Sequence, residues 1–121
     1  MSDRPAVERL HRKANRGMQG YPLATIAWYG PDATRATKVV VGIQRRERGD
    51  IALEKWLSVA TDVREDAAIG AAILSHLQSQ DVRSVVMSDD LLGCPHEEGI
   101  DYPLGAPCPA CPYWAGRPRP I

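Results

Sequence analysis

DVREDAAIGAAILSHLQSQDVRSVVM, the run from Asp62 to Met87, decides the fold. Asp62 to Gln80 reads as the best helix in the chain. Ile69, Ala72, Ile73, His76 and Leu77 recur at helical spacing and line one face. Asp62 is placed to cap it, and Glu65 and Asp66 fall in the first turn, where the helix dipole favours negative charge. His76 lies beside the apolar stripe and reads as a core-edge histidine rather than a ligand. After a short turn, Val82 to Met87 is β-branched and apolar, the mark of a buried strand. A helix and then a strand, following an upstream hairpin, require a crossover connection and hence partly parallel pairing.

The upstream hairpin is read from two runs. Tyr21 to Gly30 forms a strand with Ile26 and Trp28 on one face and Ala27 and Tyr29 on the other. Thr37 to Gln44, TKVVVGIQ, is the clearest strand, nearly continuously apolar as expected when both faces are covered. GPDATRA, from Gly30 to Ala36, is turn-rich and joins the two. Gly42 marks either a bulge or a close approach. RRERGD, from Arg45 to Asp50, is a polar turn whose Arg45, Arg46 and Arg48 form either a basic patch or a solvated loop. Ile51 to Ser58 fits two periods: Ile51, Leu53 and Leu57 alternate as in a strand, while Leu53, Trp56, Leu57 and Ala60 fit a helix. The strand reading is preferred and completes a three-strand meander.

At the N-terminus, PAVERLHRKANRG places Val7, Leu10 and Ala14 on one helical stripe, with Asp3 as cap and Gly17 as stop. Arg9, Arg12, Lys13 and Arg16 take the other face. They make either a basic arm that contacts phosphate or a terminal segment with solvated charges. Charge is unevenly spread along a chain of zero net charge: residues 1–48 carry ten Lys/Arg against four Asp/Glu, residues 49–111 three against eleven, and the last ten residues add Arg117 and Arg119.

The segment from Gly93 to Trp114, GCPHEEGIDYPLGAPCPACPYW, holds all three cysteines and one of the three histidines. Cys94 and His96 form one close pair; Cys108 and Cys111 form a second, C-x-x-C. Zinc takes four N/S ligands in a tetrahedron, often as two close pairs joined by a short loop, so these residues read as a Cys₃His zinc site. Gly99, Pro103, Gly105 and Pro107 suit a tight loop between the pairs. C-x-H is tighter than the usual spacing, and Glu97 or Asp101 is the next candidate should His96 not be a ligand. The same segment resembles small uncharacterised bacterial proteins that carry C-P-H-E-E-G-x-D-Y-P … C-P-x-C-P-aromatic-W, matched here by Cys94 to Pro103 and Cys108 to Trp114. The resemblance extends more weakly over Tyr21 to Asp89 and implies no particular activity.

Two catalytic readings compete with a closed site. Cys108-Pro109-Ala110-Cys111 looks like a glutaredoxin-type redox pair, in which a helix N-terminus activates the first thiol; Pro112 follows at once, and little chain remains for such a fold. His96-Glu97-Glu98 with Pro107-Cys108-x-x-Cys111 matches the zinc-deaminase pattern, with Glu98 as acid/base. There the two halves sit on separate helices, and Gly99 to Ala106 is too short to hold a helix and a strand. That reading also leaves Cys94 without a role. No G-x-G-x-x-G, P-loop, nucleophile elbow or H-E-x-x-H is present. Asp89 and Asp90 lack the first-strand carboxylate that a magnesium nuclease needs and read as loop residues.

The length of 121 residues fits one domain, and the apolar share of 44% is ordinary for a globular core. No apolar run approaches membrane length, and no apolar stretch follows the basic start as in a secretory signal. An odd cysteine count clustered at metal spacing points to a reducing cytoplasm rather than a disulfide framework. The expectation is an α+β fold: an antiparallel hairpin or three-strand meander, one main helix, a further parallel strand and a C-terminal zinc finger-like module. Residues 1–20 would form a basic arm, 21–92 the core, 93–115 the zinc module and 116–121 a Pro/Arg tail, within one domain. The functional expectation is a non-enzymatic zinc-binding module for RNA, ribonucleoprotein or protein. Its rival is an enzyme, either a zinc hydrolase using Glu98 or a thiol oxidoreductase using Cys108 and Cys111.

Overall fold

A computed structural model describes residues 4–115, in the order α1 (Arg4–Asn15), β1 (Leu23–Tyr29), β2 (Lys38–Gln44), β3 (Ile51–Leu57), α2 (Ala67–Ser79) and β4 (Ser84–Leu91). A short 3-10 turn follows at Pro112–Trp114. The Asp3 cap and the tail at 116–121 lie outside the described residues. The strands form one sheet in the order β3-β2-β1-β4. β1 pairs antiparallel with β2, β2 antiparallel with β3, and β4 parallel with β1. This is the α+β architecture expected from the sequence, with α2 as the crossover.

The period of two along each strand sorts the sheet into faces. Ala24, Ile26 and Trp28 of β1 and Val39, Val41 and Ile43 of β2 join Val85 of β4, Leu10 of α1 and Ile73, Leu74 and Leu77 of α2 in one core. The N-terminal segment is therefore not a free arm: Val7 and Leu10 are buried. It reaches α2 at Gly70, where an added Cβ would lie 3.2 Å from Val7 Cγ2. The missing side chain lets α1 sit close. α2 is flanked by the sheet and by α1, so it buries Gly70 and Leu74 as well as the expected Ile73 and Leu77. His76 stands at the core edge, its ring 5.8 Å from that of Trp56 in a T-shaped contact.

The helix starts later than the sequence suggests. Asp66 is the N-cap of α2 and accepts from Ile69 N at 3.0 Å. Asp62 is committed elsewhere, accepting from Ala36 N at 3.2 Å and from Arg64 Nε at 2.9 Å. Both aspartates suit a cap, and only the tertiary partner of Asp62 decides between them. β4 runs on past Met87 to Leu91, so Asp89 and Asp90 lie in a strand and not in a loop. The pairing jumps from Ile26↔Met87 to Trp28↔Leu91, a bulge of β4 opposite Ala27. Gly42 holds no bulge; it is a close approach, where an added Cβ would lie 3.0 Å from Ile51 Cγ2.

Ile51–Leu57 is a strand, at the edge of the sheet. Ile51, Leu53 and Leu57 are exposed on the face away from the helices. Lys38 and Lys55 lie on that same face, and both approach Glu97, at 3.7 and 3.9 Å. The C-terminal segment is thus laid over one end of the second face of the sheet, at the start of β2.

Candidate metal centre

Both ends of the cysteine-bearing segment are tied to one residue, Gly30. Beyond β4, Leu92 N donates to Trp28 O at 2.8 Å and Gly30 N donates to Gly93 O at 2.9 Å. At the far end, Trp114 Nε1 donates to Gly30 O at 2.8 Å. Any side chain at Gly30 would collide, since a Cβ there would fall 1.9 Å from Arg35 O and 2.5 Å from Leu91 Cδ2. The hairpin connection and the metal segment can meet only at a glycine.

Between these ties, Cys94 Sγ, His96 Nδ1, Cys108 Sγ and Cys111 Sγ converge within 4.8 Å of one another. His96 Nδ1 lies 3.1, 3.4 and 3.5 Å from the sulfurs of Cys94, Cys108 and Cys111. A tetrahedral zinc with Zn–S of about 2.3 Å and Zn–N of about 2.0 Å places N and S about 3.5 Å apart, so the cluster has nearly the span of such a polyhedron. The cysteines are buried and free of disulfides. His96 N donates to Cys94 Sγ at 3.2 Å, a backbone contact that suits a thiolate. These four residues can hold a metal ion.

The loop that joins the two pairs is closed by its own polar groups. Gly99 N donates to Tyr102 O at 2.7 Å, and Glu97 N to Asp101 Oδ2 at 2.7 Å. Glu98 Oε2 accepts from Gly105 N at 2.6 Å. Gly99 and Gly105 take φ of 85° and 84°, a left-handed conformation that favours glycine. The Glu98 and Asp101 carboxylates are thereby engaged outside the cluster, the Glu97 carboxylate lies beside Lys38 and Lys55, and the group that converges with the three sulfurs is His96.

The protonation of the thiols follows from their packing. Burial pushes the Cys94 thiol up to about 12. Burial also raises Cys111. At Cys108 the effect of burial is outweighed by hydrogen bonds from Cys94 and from the Ala110 and Cys111 amides, which lower it. Three thiolates in so small a volume repel one another, and a cation at their centre would replace their protons.

Other groups singled out in the sequence are placed differently. Arg9, Arg12, Arg16, Arg45 and Arg46 are exposed and Lys13 is half-buried. Lys13 and Arg16 join Arg83, which sequence reasoning missed, around a cleft of about 350 Å³ beside the end of α2. Arg45 donates to the backbone and side chain of Gln80 at the same helix end. Cations near helix C-termini complement the dipole there. Arg9, Arg12 and Arg46 do not line that cleft. Lys38 and Gly30 also went unread. A lone lysine heading an apolar strand was the available signal for Lys38, whereas nothing local marks Gly30 as more than a turn residue. Among the described residues no helix is long and apolar enough to cross a membrane. Compared with family models, curated proteins and solved structures, the chain matches none.

Proposed function

We propose that Cys94, His96, Cys108 and Cys111 hold one zinc ion in a closed structural site, and that the protein is a non-enzymatic interaction module. The observation that carries this reading is the convergence of four N/S donors, the full complement of a structural zinc. Softness of the donors selects zinc over magnesium or calcium, which take oxygen. Clustered free thiols support a reducing compartment such as the cytoplasm. The exposed arginines at positions 9, 12, 16, 45 and 46 support a phosphate-bearing partner, RNA or ribonucleoprotein, ahead of a protein. The resemblance of the Cys94–Trp114 segment to small bacterial proteins accords with a shared metal module.

The test is metal content by mass spectrometry on purified protein, with the absorption of the cobalt-substituted form counting sulfur and nitrogen ligands. One zinc with three sulfurs and one nitrogen supports the site; absence of metal, or two sulfurs with open positions, overturns it. RNA binding that weakens steeply with salt supports the phosphate branch, and binding that is absent or indifferent to salt removes it.

One observation favours a second reading. Glu98 lines a cavity of about 310 Å³ together with Cys94 and Cys108. A hydrolase would place water on the metal beside Glu98, and a thiol oxidoreductase would cycle a Cys108–Cys111 disulfide. Water bound to the metal, or a reversible disulfide, would put that reading first.

A further inference from the structure

Lys38 is a charged side chain that is buried, at 6% exposure. Its Nζ donates to Pro95 O at 3.0 Å. Pro95 stands between Cys94 and His96, so the ammonium grips the peptide that joins two members of the cluster. The Tyr29 ring lies 5.9 Å from Nζ. The Glu97 carboxylate lies 3.7 Å from it, is 43% exposed and is shared with Lys55. A buried ammonium needs a counter-charge close by. A solvated carboxylate divided between two lysines supplies only part of one. Three thiolates and a neutral imidazole around a divalent ion carry about one net negative charge, a further counter-charge for the ammonium.

We infer that Lys38 is a positioning residue of the metal centre. It offsets the excess negative charge of the Cys₃His–metal core and, through the Pro95 carbonyl, holds the Cys94–His96 pair in its chelating shape. This rests on the metal reading above. Removing an outer partner of a metal ligand set typically costs roughly 10- to 100-fold in affinity.

The experiment compares wild type with Lys38→Met, which keeps the stem and removes the charge, Lys38→Gln, which keeps a donor without the charge, and Cys111→Ser. Zinc affinity is read by competition with a chromophoric chelator, and the ligand set by the cobalt spectrum. Lys38→Met should weaken zinc by roughly 10- to 100-fold with the three-sulfur spectrum retained. Lys38→Gln should fall between it and wild type. If Lys38→Met does not fold, Lys38→Gln decides: wild-type affinity there overturns the role of the charge. Wild-type affinity in Lys38→Met, with zinc lost in Cys111→Ser, overturns the inference and leaves the metal site standing. Failure of the wild type to bind zinc overturns the metal reading itself.

Discussion

Asp62 and Asp66 are both short carboxylates ahead of an apolar run, and their different partners give them different roles. At Asp66, the Thr61 hydroxyl and then the Ile69 amide hold the carboxyl below its ordinary value of 3.8. At Asp62, burial works in the opposite direction, and the Arg64 side chain and amide overcome it. A depressed carboxyl contributes stability that is present above its unfolded pKa and is lost as pH falls through the folded one. Asp66→Ala should therefore cost about 1 kcal/mol at neutral pH, and the difference from wild type should shrink below about pH 4. Urea melts at neutral and acid pH check this, and an Asp66→Ala penalty that persists in acid would contradict it. Gly30→Ala is the harsher change. Its methyl would meet the backbone of Arg35, so a loss of about 3 kcal/mol, at the upper end of overpacking costs, is expected in the same melts. Trp114 emission should shift with it, because Gly30 O is the acceptor of the Trp114 indole.

At the scale of elements, β3 and α2 contrast in how much of their apolar surface the fold uses. Ile73 on α2 has no exposed surface, while Ile51 on β3 is 59% exposed. Ile73→Ala should cost about 2–5 kcal/mol; Ile51→Ala should stay within about 0.5 kcal/mol. Chemical denaturation of the two variants tests the assignment of faces, and equal losses would show that the second face of the sheet is covered. The edge position of β3 also explains its ambiguous sequence. A strand packed on one side by Trp56 alone has no need of a clean alternation.

Among the described residues there are two packed clusters. One joins both helices to the sheet; the other is Cys94, Tyr102, Cys108 and Cys111, and Trp114 touches both. On the metal reading proposed above, the second cluster draws its stability from the ion, so a chelator should loosen residues 93–115 and spare the main core. Hydrogen exchange is the measurement: amides of the metal segment should lose protection when the metal is stripped, with β1 and β2 unchanged. Uniform loss of protection would mean instead that the main core depends on the metal.

What the sequence determined by itself is what local chemistry can specify. Helical period marked α2, β-branched apolar runs marked β2 and β4, turn residues marked the hairpin, and the spacing of Cys94, His96, Cys108 and Cys111 selected the four donors that converge. Each of these signals lies within one short stretch of chain, so no distant contact is needed to read it. The tertiary structure alone decided the rest. It docked α1 through Gly70, moved the cap from Asp62 to Asp66, extended β4 through its bulge, and laid the metal segment over Lys38 with Gly30 holding both ends. Each of these depends on a partner far along the chain. An aspartate, a glycine or a lysine carries no local mark of which distant group it will meet, and packing between remote segments is what chooses.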